Sequence, residues 1–217
     1  MKISELFDGI DQNDYTTLIN CLGGIEKTYS KDNYILLAGD TVDYVGVILS
    51  GKVKIIKEDF FGTRNIIAEL GEGDVFGEAF ACAGVGISNE TVQASTDCRI
   101  MMIQFKKLVT TCSNACAFHS ALIANMLKMV AKKNIHMSDK MEIISKRTTR
   151  EKIMTYLLSE AEKKQNQRFE IPFSRNELAD YLCVERSAMS RELSKMQQDK
   201  LIRYTKNNFE LLESNFQ

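Results

Sequence analysis

All twelve glycines of this 217-residue chain lie at or before Gly86. Between residues 25 and 103, short runs of β-favouring residues such as Tyr44–Leu49 alternate with glycine turns, whereas beyond Phe105 glycine disappears. Because glycine supplies turns and weakens helix interiors, this distribution divides the chain into a β-rich part and a helical part. Short strands at such spacing predict a sandwich or a barrel-like roll, and the whole chain is expected to have an α+β fold.

The helical part contains a long apolar stripe. Its residues recur at spacings of four and three over more than five turns: Leu122, Met126, Val130, Lys133, Met137, Met141 and Ile144. A stripe this narrow on a long helix is typical of a helix that pairs with a second one, so we interpret it as a parallel dimer seam. Lys133 and Asn134 interrupt the seam with polar side chains, which can fix register. The alternative is that the helix packs on its own β-domain.

The segment 174–196 predicts two short helices separated by a tight corner. Ser174 and Glu177 form an S-x-x-E capping box at the start of the first helix. The corner falls near Cys183, and a buried stripe follows in the second helix: Met189, Leu193 and Met196. A short pair of helices in this order is the expected core of a helix-turn-helix motif.

The opposite side of the second helix is polar, without an acidic residue at its centre. It carries Arg186, Ser187, Ser190, Arg191 and Ser194. Arginine can bridge guanine acceptors, and hydroxyls can reach bases or phosphates in the major groove, so this side predicts a DNA-reading helix. An ordinary helical hairpin with a solvated polar side is the alternative.

A β-hairpin is predicted after Met196, with its corner at residues 206–208, where asparagine tolerates positive φ. Helix, corner, helix and hairpin together predict a winged helix-turn-helix, whose wing can touch the DNA backbone. Three further candidate DNA-binding residues are therefore Ser174, Arg175 and Lys206.

The net charge of −1 conceals an uneven distribution. Residues 1–111 carry a net charge of −6, residues 112–145 carry +2, and residues 146–217 carry +3. Local positive charge suffices for attraction to phosphates, so the near-neutral total is compatible with DNA binding. We divide the chain at the same places into a sensor domain, a dimerisation helix and a DNA-binding domain. No apolar run approaches the length of a membrane span, which predicts a cytoplasmic protein.

The order of these parts resembles the cyclic-AMP receptor protein and fumarate-nitrate reductase regulator (Crp/Fnr) superfamily of transcription regulators over nearly the whole chain. Its local signatures are residues 50–53 and 71–78 in the β-roll and 186–191 in the second helix. The resemblance implies an antiparallel, cyclic-nucleotide-binding-like β-roll of the jelly-roll type, a long dimerisation helix and a winged helix-turn-helix. It also implies a homodimer on a palindromic operator, with RNA polymerase as a further partner.

In relatives, the residues that match Arg186, Ser187, Ser190 and Arg191 contact bases or phosphates. Cyclic-nucleotide binders also use a Gly-Glu pair and, about ten residues later, an arginine followed by serine or threonine. This chain keeps Gly77-Glu78, but the later positions are Ser88-Asn89. Cys183 stands where relatives commonly have glycine in the corner.

The loss of the arginine argues against cyclic AMP, because a buried phosphate without a cation is costly. Residues 79–89 are small and apolar, which favours an uncharged or flat effector, or a space that the protein fills itself. The candidate effector-pocket residues are Gly77, Glu78, Ala79, Ser88, Asn89 and Met137.

Cofactor chemistry finds little support in the sequence. Haem remains a possible cofactor but ranks below a small apolar or aromatic effector and below no effector at all, because His119 and His136 are the only histidines and each is expected to decorate a helix face. An iron–sulfur cluster needs about four thiolates close together, and only Cys21 precedes the β-roll. Cys112 and Cys116, one helical turn apart, are interpreted as small core residues rather than a thiol switch or metal ligands.

Two classes of function compete. The first is a dimeric transcription regulator that is not an enzyme, since Walker, HExxH and GxSxG motifs are missing from the sequence. The second is an effector-binding or interaction module whose C-terminal domain contacts protein rather than DNA. The positive C-terminal third and the arginine-serine side favour the first.

Overall fold

The computed structural model describes residues 4–110 and 117–212. The chain forms two compact units, residues 1–134 and 135–217. The boundary falls inside the long helix, whereas the sequence-based division sets that helix apart as a segment of its own. The cysteine pair at positions 112 and 116 lies outside the described residues.

The N-terminal unit begins with a 3-10 turn at Glu5–Phe7 and helix α1 at Gln12–Leu22. Eight strands follow: β1 Ile25–Tyr29, β2 Tyr34–Leu36, β3 Tyr44–Ser50, β4 Val53–Glu58, β5 Arg64–Leu70, β6 Val75–Phe76, β7 Thr91–Ala94 and β8 Cys98–Gln104. Helix α2 (Glu78–Ala83) lies between β6 and β7, and helix α3 (Phe105–Val109) follows β8. Helix α4 runs from Ala117 to Ser145.

The eight strands form two antiparallel sheets of four, in the orders β1-β8-β3-β6 and β2-β7-β4-β5. One hydrophobic cluster draws on both sheets, with Ile48 and Ile100 from the first and Ile55 and Val92 from the second. Burial of these side chains between the sheets drives their packing. The predicted antiparallel β-roll is confirmed.

Strand β3 is buried on both faces, which explains why its sequence does not alternate between apolar and polar residues. Ile48 belongs to the cluster between the sheets. Val45 and Val47 point the other way, into a second cluster that includes Leu18 of α1 and Leu122 of α4. The roll therefore has a helical layer on the outer side of its first sheet.

The C-terminal unit contains the predicted winged helix-turn-helix. Its elements are α5 (Thr149–Lys164), β9 (Arg168–Glu170), α6 (Arg175–Leu182), α7 (Arg186–Gln198), β10 (Ile202–Thr205) and β11 (Asn208–Leu211). The three strands pair in the order β10-β11-β9. Arg150 of α5 forms ion pairs with Glu192 and Asp199, which joins α5 to α7 and the residue that follows it.

Helix α4 has a different apolar arrangement from the predicted stripe. Leu122 and Met126 are buried in the N-terminal unit's own core, and Lys133 pairs with Glu78, so the seam prediction is wrong for these three residues. The alternative, packing on the β-domain, holds for that face. Three residues of the predicted stripe, Val130, Met137 and Met141, are exposed. They belong to a stripe with spacings of four and three: Ile123, Leu127, Val130, Asn134, Met137 and Met141. No helix among the described residues is both long and apolar enough to cross a lipid bilayer.

The interior of the roll yields a stability prediction at Gly46. A Cβ atom at this position lies 2.2 Å from the ring of Phe76, which is 1% exposed. We expect Gly46→Ala to overpack the core and lower the free energy of unfolding by about 1–3 kcal/mol. The matched control is Gly71→Ala, because a Cβ there meets nothing within 4 Å. Thermal unfolding of both variants tests this, and an equal Tm for the two would contradict it.

Candidate nucleic-acid interface and effector site

Local hydrogen bonds set the geometry of the helix-turn-helix. Ser174 caps α6, its hydroxyl accepting from the backbone N–H of Glu177, while the Glu177 carboxylate accepts from the N–H of Ser174. The predicted capping box is confirmed. At the corner, Cys183 has φ of 52°, so this residue adopts the left-handed conformation that glycine favours. The lack of glycine there does not prevent the turn.

Helix α7 divides its residues between the core and the surface as predicted. Met189, Leu193 and Met196 are fully buried. The opposite side is polar: Arg186, Ser187, Arg191 and Ser194 are exposed, and Ser190 is half-buried. The structure thus brings five of the candidate DNA-binding residues onto one side of one helix.

Glu185 is a residue of this surface that sequence reasoning missed. It is the N-cap of α7, and its carboxylate accepts from the N–H groups of Ser187 (2.9 Å) and Ala188 (2.8 Å) and from the Ser187 hydroxyl. These hydrogen bonds lower the pKa of Glu185 to about 2, with the Ser187 hydroxyl as the largest cause. Glutamate is not among the preferred N-cap residues, so no simple pattern marked it.

The two other candidates near the wing have different surroundings. Lys206 is exposed at the β10–β11 turn, where its φ is 51°. The predicted corner is correct, but the positive φ falls on Lys206 and not on an asparagine. Arg175 is directed toward the wing: its guanidinium donates to the carbonyl of Lys206 at 2.6 Å. The same group lies 4.8 Å from the ring centroid of Tyr204 and 5.0 Å from that of Phe209.

Arg175 therefore has a structural role in the free protein. Its guanidinium ties α6 to the wing, and burial lowers the pKa of Arg175. Its Nη1 atom is buried without a hydrogen-bond partner in the described chain. This geometry directs the arginine inward, so its DNA contact remains only a prediction.

The candidate effector site centres on Glu78. Gly77, with φ of 80°, is the residue that precedes α2, and Glu78 is the first residue of that helix. Glu78 is only 4% exposed. Its Oε1 atom accepts a hydrogen bond from Nζ of Lys133, 2.7 Å away, and the same ammonium donates to the carbonyl of Val75 at 2.6 Å. Lys133, which lies 55 positions after Glu78 in the chain, thus supplies a positive charge that residues 79–97 lack.

The other predicted pocket residues differ in burial and in hydrogen bonding. Ser88 is buried: its hydroxyl donates to the carbonyl of Glu90 and accepts from the Glu90 N–H in a local turn, and its own N–H donates to the carbonyl of Asp40. Ala79 and Asn89 are exposed. Met137 is exposed and belongs to the C-terminal unit, so its place in a pocket remains a prediction.

The small apolar segment after α2 is also more open than expected. Val85 is 63% exposed and Ile87 is 58% exposed. That residues 79–89 line an effector pocket stays a prediction.

The described residues offer no obvious metal centre. Within 4–110 and 117–212, no group of three or more histidine, cysteine or acidic side chains is placed to hold an ion. Cys98 is buried, while Cys21, Cys82 and Cys183 are exposed. His136 is exposed as expected. His119 is buried, and its Nδ1 atom has no hydrogen-bond partner among the described residues.

Comparison with known proteins matches both units. Residues 26–114 match the family model of the cyclic nucleotide-binding domain, and residues 151–214 match that of the Crp-like helix-turn-helix domain. The chain is 24% identical over 170 residues to the Probable transcriptional regulator flp of Lacticaseibacillus casei, covering 77% of this chain and 74% of flp. It is 31% identical over 90 residues to the potassium voltage-gated channel protein eag of Drosophila melanogaster, covering 41% of this chain and only 7% of the channel.

Solved structures match over most of the chain. The c-di-GMP responsive global regulator CLP of Xanthomonas campestris has a TM-score of 0.78 at 17% identity, covering 94% of this chain and all of CLP. FixK2 of Bradyrhizobium japonicum has a TM-score of 0.68 at 23% identity, covering 87% of this chain and 92% of FixK2. At such identities these likenesses show the fold alone. With a cyclic nucleotide-binding domain followed by a Crp-like helix-turn-helix domain, the chain belongs to the Crp/Fnr superfamily of transcription regulators.

Proposed function

We propose that this regulator binds a palindromic DNA operator as a homodimer, with helix α7 in the major groove. The observation that carries the proposal is the division of α7, which buries its methionine-leucine side and exposes arginine and serine. An exposed arginine-serine helix preceded by a second helix fits the way helix-turn-helix proteins enter the groove. The protein acts in the cytoplasm, has no enzymatic role, and works on DNA alongside RNA polymerase.

The chemistry of α7 suggests two kinds of base contact. Arg191 is a donor only, which suits guanine O6 and N7, while Arg186 at the start of the helix is expected to contact phosphate. The Glu185 carboxylate is a hydrogen-bond acceptor only. The Ser187 hydroxyl already donates its proton to Glu185, so toward DNA this hydroxyl can act only as an acceptor. An acceptor pair suits the exocyclic amino group of cytosine or adenine and disfavours guanine O6 and thymine O4. The N-terminal end of α7 therefore favours some bases through hydrogen bonds and disfavours others through repulsion between acceptors.

Removal of an arginine tests the donor contacts. We expect Arg191→Ala to weaken specific operator binding by about 1–3 kcal/mol, because a bidentate base contact is lost. Arg186→Ala is expected to reduce the salt dependence of binding through loss of a phosphate contact. Gel shift on an operator selected from random DNA, at several salt concentrations, measures both effects.

The control for the arginine variants is Lys163→Ala, which removes a cation from α5, outside α7. Parent-like operator affinity for both arginine variants would show that α7 does not read DNA. Absent or salt-insensitive binding by the parent protein would instead favour a C-terminal domain that contacts protein.

Glu185 provides a separate test of base choice. Glu185→Ser keeps a residue that caps helices well but removes the carboxylate. We expect this variant to lose preference at one base pair of each half-site, by roughly 1–3 kcal/mol, while its affinity for non-specific DNA rises. Binding to half-sites with all four bases at each position measures the preference. If Glu185 serves only as a cap, the parent's base preference is retained.

The exposed stripe of α4 supports the proposed homodimer. Its residues are Ile123, Leu127, Val130, Asn134, Met137 and Met141. Leu127 is 70% exposed and Met141 is 64% exposed in the single chain. Their spacing places them at successive a and d positions of a heptad, with exposed Asn134 at one a position. A polar residue at one a position selects register and favours two strands, as a symmetric operator requires.

A charge in this stripe is expected to separate the subunits. Leu127→Glu places two carboxylates across the proposed seam, so we predict a monomer and loss of tight binding to the palindrome. Leu158→Glu is the control, since Leu158 is also exposed (40%) but lies on α5. Analytical ultracentrifugation gives the mass of each variant. A dimer that persists in Leu127→Glu would contradict the seam.

A further inference from the structure

The ion pair between Glu78 and Lys133 is the most deeply buried charge pair that the structure describes in the β-roll. The Glu78 side chain is 5% exposed and that of Lys133 is 30% exposed, with 2.7 Å between Oε1 and Nζ. A second bond from Nζ to the Val75 carbonyl fixes the ammonium in place. By contrast, the neighbouring Lys132 makes an equally short pair with Glu5, but both of those side chains are well exposed.

The surroundings of this ion pair lack hydrogen-bond donors, not hydrogen-bond acceptors. The second carboxylate oxygen of Glu78, Oε2, is buried without a hydrogen-bond partner in the described chain. Burial raises the pKa of the nearby Glu90, and the negative charge of Glu78 contributes to the rise, while Lys57 and Lys133 lower it. Two carboxylates, one of which has an oxygen without a hydrogen-bond partner in the described chain, make this a place that attracts cations and repels phosphate.

We propose that the β-roll contains an ammonium-binding site centred on Glu78, and that the chain fills it with its own Lys133. The ligand class of the site is thus a primary alkylammonium and not a cyclic nucleotide. In occupying it, Lys133 attaches α4 to the β6–α2 corner without any diffusible molecule. The inference rests on the proposed function only in treating the β-roll as the regulatory domain.

Truncation of the lysine followed by chemical rescue tests the proposal. Lys133→Ala keeps a good helix former but leaves Glu78 buried without its cation, so the Tm of the full chain is expected to fall by about 5 °C or more. Propylammonium chloride replaces the atoms removed from the side chain. We expect it to raise the Tm of Lys133→Ala in a saturable manner, while equal concentrations of 1-propanol and sodium chloride do not.

Two variants serve as matched controls. Lys132→Ala removes the exposed pair with Glu5 and is expected to keep nearly the parent's Tm and to show no saturable rescue. Glu78→Gln combined with Lys133→Ala removes both charges, so it should recover part of the lost Tm and should no longer respond to propylammonium. The double variant also keeps the test usable if Lys133→Ala fails to fold.

Several results would overturn the proposal. Equal rescue by 1-propanol would mean that the site takes apolar volume and not a cation. An unchanged Tm in Lys133→Ala, or a double variant that still responds to propylammonium, would show that Glu78 does not bind the ammonium. Saturable binding of cyclic AMP to the parent protein in calorimetry would also refute it. None of these measurements uses DNA, so they stand apart from the operator-binding tests.

Discussion

Helix α4 has two apolar faces, and the described residues of its own chain cover only one of them. Leu122, Met126 and Met129 are at most 7% exposed, and they close the helical side of the β-roll core together with Val45 and Val47. The other face leaves Leu127 and Met141 more than 60% exposed. Burial of such surface is worth about 25 cal/mol per Å², so a second α4 is the economical way to cover it. The proposed dimer and its symmetric reading of DNA both depend on this constraint.

The same helix carries the polar contacts that fix its position on the roll. Asn125 donates to the backbone carbonyls of Leu6 and Asp8, and Lys132 pairs with Glu5. The neighbouring Lys133 instead donates to the Glu78 carboxylate and to the Val75 carbonyl. Each of these contacts joins residues far apart in the chain, so tertiary contacts fix the position of the helix on the roll. The proposed ammonium site at Glu78, with Lys133 as its cation, is a consequence of this arrangement.

The sequence predicted those parts of the molecule that are determined locally. The capping box of Ser174, the corner at Cys183 and the buried stripe of α7 each depend on residues within a few turns of one another. The phase of the seam on α4 did not follow from the sequence, because residues 122 and 123 are both apolar and lie about 100° apart around a helix. Only the position of the β-roll shows that Leu122 faces inward and Ile123 outward. The Glu78–Lys133 pair was also out of reach, since nothing in either local sequence marks a partner 55 residues away.

The contact between Arg175 and the wing has a consequence for the thermodynamics of binding. The guanidinium bonds to the Lys206 carbonyl and covers the rings of Tyr204 and Phe209, which are themselves stacked with centroids 5.6 Å apart. The turn that carries Lys206 is thereby joined to α6 before any nucleic acid arrives. A preformed wing has little conformational freedom left to lose, so in the proposed complex with DNA the entropic cost of association falls mainly on exposed side chains such as Arg191. Selection acting on target affinity can then alter those side chains one at a time, while the scaffold beneath them stays the same.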